Sequence, residues 1–182
     1  TGGTYSATGN QGMLRNLDNL GGMEGLGEGL VNSETFPLGD NAGAELTSGC
    51  AYPGIDTPSA IPANGAYAPH VSEGIEQSAT NEFRCVSSAT GGGQDLLGAR
   101  TTLVHGIGLK ASDIGLIAIK RSGLIWSPRS NVSLYGDTAS VPVYVHMGVN
   151  IALGMDWVIS GSMNMLRELK CAASLTRSPN TG

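Results

Sequence analysis

The fold of this chain is decided by the stretch Gly148-Val-Asn-Ile-Ala-Leu-Gly-Met-Asp-Trp157. From Val149 to Gly154 every residue except Asn150 is apolar or glycine, which predicts a strand buried on both faces, as in a parallel sheet. Asp156 follows this strand, at the end of a parallel sheet where catalytic groups collect. The alternative is that Asp156 is a turn residue or a helix N-cap, and the rest of the chain has to decide between the two.

Strand and helix patterns alternate through the second part of the chain. We expect strands at 67–70, 101–105, 123–126 and 149–154, and helices at 72–86, from Ser112, at 137–147 and from Ser162. Ser112 is a candidate N-cap, and Pro142 interrupts the third helix. Met163, Leu166, Leu169 and Ala173 share one face of the last helix. Four strand–helix units predict an α/β fold with a parallel sheet, either a barrel or a doubly wound sheet.

The first part of the chain has a different composition. Residues 1–66 are rich in Gly, Asn, Ser and Pro, and only short elements at 4–7, 12–17 and 28–32 are predicted there. We therefore predict one domain over 1–182, in which 1–66 is an irregular glycine-rich part and 67–175 carries the well-patterned units. The chain opens on Thr-Gly-Gly-Thr without an initiator Met, and we interpret it as a trimmed or partial chain.

Composition excludes two classes of partner. The net charge is -5 and the Lys and Arg residues are scattered, so the chain has no basic stripe that would bind a nucleic acid. The longest apolar runs are far shorter than the roughly 18 residues of a membrane span. Few lysines and many Ser, Thr, Asn and Gly residues favour an exported protein slightly over a cytoplasmic one. Cys50, Cys85 and Cys171 have no metal-binding spacing, and we predict buried thiols rather than a disulfide framework.

Ligand-type side chains close successive predicted strands. His70 ends one strand with Glu73 three residues later, His105 ends the next, and Asp156 follows the last. In a parallel sheet these four residues meet at one edge, and imidazole and carboxylate groups bind divalent metals. A glutamate near a ligand histidine could move a proton for a metal-bound water. The alternatives are structural histidines and a first-turn glutamate.

The same residues resemble the amidohydrolase superfamily. Its landmarks are similar, in order, to His70-Val-Ser-Glu73, Leu103-Val-His-Gly106, Trp126-Ser-Pro-Arg-Ser-Asn131 and Leu153-Gly-Met-Asp-Trp157. The closest branch is that of cytosine deaminase, chlorohydrolase and related aminohydrolases. The resemblance covers residues 66–175 and, faintly, Thr1–Ser6. It implies a (β/α)8 TIM-type barrel with one divalent metal ion, commonly zinc or iron, that activates a water.

The resemblance also implies a role for each site residue. His70 matches a histidine metal ligand, Glu73 the acid/base that passes a proton to the leaving amine, and His105 a histidine beside the activated water and substrate. Asp156 matches the aspartate that binds the metal and takes the proton from water. The run from Pro128 to Asn131 matches a structural signature near the substrate.

The chain departs from the family's pattern in three places. Trp126 stands where the family usually has His, and Met155 where it has Thr. Trp126 and Trp157 could form an aromatic wall for a ring substrate or could equally be packing residues. The first-strand His-x-His pair, which supplies two metal ligands, does not occur in these 182 residues. We therefore expect a partial barrel in which roughly strands two to eight are represented and strand one is missing.

Two functions from different classes remain. The first is a metal-dependent hydrolase that acts on C–N bonds of a small-molecule substrate, as a deaminase or amidohydrolase. The second is a catalytically inactive portion of a barrel that serves as a binding or structural module, because an incomplete ligand set would bind metal weakly. An open barrel exposes strand edges, so association into a homo-oligomer is also expected.

Overall fold

The architecture is a parallel five-stranded sheet whose strands follow one another in chain order. The computed structural model describes residues 17–18, 20–23, 25, 27 and 29–177. Each strand pairs in parallel with the next, β1 with β2 through to β4 with β5. The strands are β1 (Val31–Glu34), β2 (Ala66–Val71), β3 (Thr102–His105), β4 (Gly123–Trp126) and β5 (Ile151–Leu153).

Helices fill the connections from β2 onward. They are α1 (Gln77–Ser87), α2 (Ala111–Lys120), α3 (Pro128–Tyr135), α4 (Val141–His146) and α5 (Met165–Arg177), with 3-10 turns at Leu20–Met23, Pro58–Ala60 and Thr90–Gly92. The α/β prediction is confirmed. The described part of the chain holds five strands, fewer than the strands two to eight that the resemblance implies. The predicted element at 4–7 and all of the predicted element at 12–17 except Leu17 lie outside the described residues.

The hydrophobic core lies between the sheet and its helices. Tyr67, Leu103 and Leu124 come from three adjacent strands and pack in the same cluster as Phe83 of α1 and Ile114 of α2. All five side chains are almost fully buried. This cluster fixes the strands rigidly, so the positions of their carboxyl ends are set by packing rather than by flexible loops.

The strand predicted at 149–154 is present as β5, but the prediction that it is buried on both faces is wrong. In β5, Ala152 is exposed and its two neighbours are only half-buried. The reason is that β5 pairs with β4 alone among the described residues, so it forms an edge of the sheet there. A run of apolar residues could not distinguish a central strand from this edge strand.

Three helix boundaries differ from the predictions. The first helix begins at Gln77 and not at residue 72, because Ser72 has a left-handed backbone (φ 57°) that no helix can include. The second begins at Ala111, ahead of the candidate cap Ser112, and Asp113 accepts a hydrogen bond from the Lys110 N–H at 2.9 Å. Pro142 does not interrupt a helix but lies in the first turn of α4, where a missing N–H is tolerated.

Helix α3 was not predicted at all. The pair Ser127-Pro128 stops β4 as expected, but Pro128 also opens a helix of eight residues. A fixed proline φ is suited to a first helical turn. Helix α3 carries Asn131, which the resemblance had placed near the substrate, and Tyr135, which had not been singled out, and both contact the site described below.

The exposed face of α5 contradicts the predicted packing of the last helix, which begins at Met165 rather than Ser162. Leu166 is 78% exposed, Leu169 is 52% exposed, and Met163, just before the helix, is 70% exposed. Glu168 is instead fully buried. The apolar stripe was identified correctly, but the helix turns a different face to the sheet.

The cysteine prediction is wrong for two of the three residues. Cys50 and Cys85 form a disulfide that ties the loop between β1 and β2 to α1, while Cys171 is a free thiol. Sequence separation alone could not bring these two residues together, because the pairing depends on the path of the 36–65 loop across the helix. In the described residues, no helix has the length and apolar character needed to cross a membrane.

Candidate metal centre

The carboxyl ends of β2, β3 and β5 bring together three ligand-type side chains. His70 lies near the end of β2, His105 is the last residue of β3, and Asp156 follows β5 by three residues. One donor atom from each lies within 4.8 Å of the others. The rings of His70 and His105 have centroids 5.1 Å apart. The structure therefore assembles in space what the sequence spreads over 87 residues.

A backbone carbonyl fixes the ring of His70. Its Nδ1 lies 3.1 Å from the carbonyl oxygen of Glu34, the last residue of β1. Because a carbonyl oxygen can only accept, Nδ1 carries the hydrogen and Nε2 keeps a free lone pair. Burial lowers the pKa of His70, and the neighbouring His105 lowers it further. The ring is thus held in the neutral tautomer that binds a metal.

A side-chain amide fixes the ring of His105 in the same way. Its Nδ1 lies 3.0 Å from Oδ1 of Asn131 on α3, and the Asn131 amide group donates to Oγ1 of Thr138 at 3.3 Å. That second bond sets which way the amide faces. The buried Nε2 of His105 has no hydrogen-bond partner among the described residues. Burial also lowers the pKa of His105, so a neutral ring presents an unsatisfied lone pair to the site.

Glu73 approaches that lone pair from the loop after β2. Its Oε2 lies 3.3 Å from Nε2 of His105, close enough for proton exchange but too poorly aligned for a hydrogen bond. Burial raises the pKa of the Glu73 carboxyl, and the hydroxyl of Tyr135 donates a hydrogen bond to it. Because burial disfavours the charged form of both groups, the contact gains little as an ion pair. A carboxyl of this kind suits general acid–base catalysis.

Backbone strain is concentrated at the same place. Of the four non-glycine residues with positive φ in the described chain, three follow or end these strands: Ser72, His105 and Asp156, with φ of 57°, 74° and 56°. Left-handed backbone costs non-glycine residues of order 1–3 kcal/mol each and persists where the surroundings impose it. Gly106 continues the sharp turn with φ 56°, and a Cβ there would lie 2.6 Å from the Tyr144 hydroxyl.

A half-buried carboxylate supports the turn between His70 and Glu73. Oε2 of Glu82 on α1 accepts the backbone N–H of Ser72 at 2.9 Å. Burial raises the pKa of Glu82 to about 7, with smaller contributions from Asp40 and Glu73, whereas the Ser72 N–H lowers it. The carboxylate remains in an environment that disfavours its charge.

The raised pKa of Glu82 predicts that Glu82→Gln increases thermal stability by an amount that depends on pH. The folded state holds the Glu82 proton up to about pH 7, whereas the unfolded state releases it near 4.5. Stability of the natural protein therefore falls as pH rises between these values. Glu82→Gln removes the charge, so its melting temperature should exceed that of the unmodified protein by roughly 3–6 °C at pH 8, after allowance for solvent screening. At pH 4.5 the difference in melting temperature should nearly vanish. An equal difference at both pH values would contradict the prediction.

The two tryptophans occupy different surroundings. Trp126 is only 5% exposed, belongs to the hydrophobic core, and donates its indole N–H to Oγ1 of Thr138 at 2.7 Å. This burial favours the packing alternative for Trp126, and its bond to Thr138 also supports Asn131. Trp157 is 63% exposed next to Asp156. Its contact with a ring substrate stays a prediction.

The donors present fit the metal ion that the family resemblance implies. His70 and His105 offer neutral imidazoles whose Nδ1 atoms are bonded elsewhere, and Asp156 offers a carboxylate. The orphaned Nε2 of His105 is a buried polar atom that needs a partner. Mixed nitrogen and oxygen donors of this kind suit zinc or iron. The chain contains three histidines in all, at 70, 105 and 146, so it supplies no second pair of imidazole ligands.

Known proteins similar to this chain are deaminases. It is 34% identical over 84 residues to the 5-methylthioadenosine/S-adenosylhomocysteine deaminase of Haloquadratum walsbyi, a match that covers 46% of this chain and 19% of that protein. It is 37% identical over 81 residues to the aminodeoxyfutalosine deaminase of Deinococcus radiodurans, with 44% and 19% covered. The resemblance to the amidohydrolase superfamily is confirmed. No family model matches the chain.

A solved structure supports the predicted α/β barrel fold. The atrazine chlorohydrolase of Arthrobacter aurescens TC1, solved in complex with zinc, superimposes with a TM-score of 0.54 at 17% identity. The superposition covers 72% of this chain and 31% of the chlorohydrolase. At that identity it establishes the fold alone, which is the parallel α/β arrangement of part of a barrel. The matched region spans about a fifth of the length of the curated deaminases.

Proposed function

We propose that the protein is a metal-dependent hydrolase of C–N bonds and that it acts as a deaminase. The observation that carries this proposal is the convergence of His70, His105 and Asp156 within 4.8 Å, with Glu73 3.3 Å from His105. This arrangement unites metal-ligand donors with a carboxyl group whose pKa is raised by burial. Hydrolytic deamination needs both kinds of group, one to activate water and one to protonate the leaving amine.

Each side chain has a distinct task in this reaction. His70 and Asp156 would hold a divalent zinc or iron ion, with His105 beside it. When bound, the ion supplies the Lewis acidity that makes water a nucleophile near neutral pH. An Asp156 carboxylate oxygen accepts the proton of the attacking water, and Glu73 delivers a proton from its carboxyl to the departing amine nitrogen. Burial lowers the pKa of His105, Asn131 fixes the orientation of its ring, and Nε2 would face the substrate.

The substrate class that we propose is an adenine-containing nucleoside. Its support is the naming of several similar proteins as deaminases of 5-methylthioadenosine, S-adenosylhomocysteine or 5'-deoxyadenosine. The exocyclic amine of adenine is attached to a ring carbon that water can attack, and its loss gives ammonia. The exposed Trp157 next to Asp156 offers a flat surface on which such a ring could stack.

The alternative function is a binding or structural module without activity. The absence of a His-x-His pair from these 182 residues favours it, because two or three protein ligands bind a metal ion more weakly than four or five. The two functions differ in one measurable property, which is stoichiometric metal binding coupled to release of ammonia.

The test uses the protein in its full length, loaded with zinc and offered three nucleosides: 5'-methylthioadenosine, S-adenosylhomocysteine and 5'-deoxyadenosine. We expect about one zinc per chain and release of ammonia from at least one nucleoside. Asp156→Asn should lower kcat by about 10³-fold, because it removes the proton acceptor and weakens a ligand. Zinc content is measured by elemental analysis of the same samples.

Asp95→Asn is the matched control for Asp156→Asn. Asp95 pairs on the surface with Lys120 and bridges to Ser87 at the end of α1, and neither partner is a site residue, so its substitution should leave kcat unchanged. Deaminase activity that survives intact in Asp156→Asn would overturn the proposed roles. A protein that binds no zinc and releases no ammonia from any of the three nucleosides would support the inactive module.

The predicted homo-oligomer remains a proposal and gains support from α5. The apolar residues Leu166 and Leu169 are exposed on this helix, and Val158 and Ile159 are exposed in the loop before it. Exposed apolar residues of this kind are available for association. Light scattering of the purified protein should give a mass above that of one chain, and a monomer at all concentrations would contradict the proposal.

A further inference from the structure

The turn that joins His70 to Glu73 depends on a single residue, Ser72. Its side chain is fully buried, and its backbone is left-handed with φ 57°. A serine gains nothing from this conformation by itself, because left-handed backbone is unfavourable for side chains with a Cβ. The conformation must therefore be imposed by the groups that contact Ser72. It decides the direction in which Glu73 leaves the strand.

Three sets of hydrogen bonds hold Ser72, and two of them come from α1. The Ser72 carbonyl oxygen accepts the N–H groups of Ile107 and Gly108, from the loop after β3. The Ser72 hydroxyl donates to the carbonyl oxygen of Ala79 at 2.6 Å. The Ser72 N–H donates to Oε2 of Glu82 at 2.9 Å. The last bond differs from the others because its acceptor is an ionisable side chain with its own rotational freedom.

The surroundings of Glu82 disfavour a charged carboxylate at this position. The charged groups that act on Glu82 are the carboxylates of Asp40, Glu45 and Glu73, all of which disfavour its ionised form. Burial disfavours that form still more. An apolar residue would be more favourable in such a place, unless the carboxylate is needed for its contact with Ser72.

We propose that Glu82 is a positioning residue for Glu73, an inference that rests on the proposed function. Glu82 does not touch the reacting atoms in this assignment. It holds the N–H of Ser72, which fixes the left-handed turn and thereby keeps the Glu73 carboxyl 3.3 Å from His105. The turn is held because the side chain of Glu82 is long enough to place an acceptor oxygen beside the Ser72 N–H. The negative charge of that oxygen is not required.

Two substitutions of Glu82 separate the effect of side-chain length from the effect of charge. Glu82→Gln keeps an acceptor oxygen at the same distance along the side chain and removes the charge. Glu82→Asp keeps the charge and withdraws the oxygen by one methylene. If Glu82 positions Glu73, kcat for ammonia release should stay within about 3-fold of the unmodified protein for Glu82→Gln. It should fall by about 10- to 100-fold for Glu82→Asp, with KM nearly unchanged, since only the proton-transfer geometry is disturbed.

Hydrogen exchange gives a readout that needs neither metal nor substrate. The Ser72 amide is buried and bonded to Glu82, so it should exchange slowly in the unmodified protein and in Glu82→Gln. In Glu82→Asp its exchange should accelerate by at least about 10-fold, while amides in the core strand β3 keep their rates. Equal Ser72 exchange in all three proteins would overturn the inference.

A double-mutant cycle with Glu73→Gln decides whether Glu82 acts through Glu73. In the Glu73→Gln background, Glu82→Asp should have little further effect on kcat, because the group that it positions is already lost. The same 10- to 100-fold loss in both backgrounds would overturn the inference and assign Glu82 a general structural role. Full activity of Glu73→Gln alone would instead contradict the proposed function, so the two failures give different results.

Discussion

Replacing Glu73 by glutamine is expected to lower kcat for ammonia release by about 10²- to 10⁴-fold, the range that general acid–base catalysis contributes. Glu73 lies 3.3 Å from Nε2 of His105, with the pKa of its carboxyl raised by burial. The glutamine has nearly the same shape and can still accept a hydrogen bond from Tyr135, but it cannot deliver a proton. The loss should therefore appear in kcat, with KM for the nucleoside changed little.

Glu76→Gln is the matched control for Glu73→Gln. Glu76 lies in the same loop before α1, and its carboxylate accepts the backbone N–H of Ile75 at 3.1 Å in exposed surroundings. Its substitution should leave kcat within about 2-fold, because exposed charge changes seldom alter a buried site. Zinc content should be unchanged in both variants, since neither residue is assigned as a ligand. An equal loss of kcat in both would point to a loop effect and not to proton transfer.

Residues at strand ends were the part of the site that could be predicted from the sequence. A strand shows a side-chain period of two and a sharp end, so the positions of His70 and His105 at the ends of two parallel strands follow from short patterns. Asp156 was harder to place, because β5, which pairs with β4 alone among the described residues, resembles a buried strand in composition. The convergence of these residues is then a consequence of parallel topology, which brings carboxyl ends to one edge.

Groups that orient the site residues could not be predicted, because they come from elsewhere in the chain. Asn131 holds His105 only once α3 exists; the resemblance placed the run from Pro128 to Asn131 near the substrate, but it did not indicate this contact. Glu82 was assigned to a helix, but its bond to Ser72 depends on a left-handed turn that no local pattern indicates. These contacts are set by tertiary packing, which overrides local preference.

The disulfide and the face of α5 escaped prediction for the same physical reason. The pairing of Cys50 with Cys85 depends on where an irregular loop passes over α1. The helical pattern identified an apolar stripe on α5 but not which side faces the sheet. A helix with apolar residues on one face and a buried carboxylate on another is ambiguous until its neighbours are known.

The buried carboxylate of α5, Glu168, leads to the largest stability effect that we expect. Glu168 is fully buried, and its Oε1 accepts the backbone N–H of Arg129 at 2.9 Å. Arg129 lies in the first turn of α3, and the N-cap residue Ser127 makes no side-chain cap bond. Glu168 therefore takes the place of the missing cap, where a negative charge also meets the positive end of the helix dipole.

Further bonds connect this cap to the loop that carries Asp156. The Arg129 guanidinium donates through Nε to the hydroxyl of Ser162 at 2.9 Å, and the buried hydroxyls of Ser130 and Ser160 lie 2.8 Å apart. The loop from β5 to α5 is thus fastened to the start of α3 by polar contacts. Loss of the Glu168 cap should loosen the loop as well as the helix.

Glu168→Ala is expected to lower the free energy of unfolding by about 2–4 kcal/mol, because it leaves the Arg129 N–H unpaired and opens a cavity between α3 and α5. Relief of the buried charge offsets part of this loss, since Oε2 has no hydrogen-bond partner among the described residues. Glu168→Gln keeps an acceptor for the Arg129 N–H and should lose less than half as much. Urea denaturation measures all three proteins.

Lys170→Ala on the same helix is the control, because Lys170 is exposed and its substitution should change the free energy of unfolding by at most about 0.5 kcal/mol. If Glu168→Ala behaves like Lys170→Ala, then Glu168 does not cap α3 in solution. If Glu168→Ala and Glu168→Gln lose equal stability, the negative charge rather than the hydrogen bond to Arg129 holds the two helices together. Since the α3 start and the Asp156 loop share this connection, Glu168→Ala should also weaken zinc binding, whereas Lys170→Ala should not.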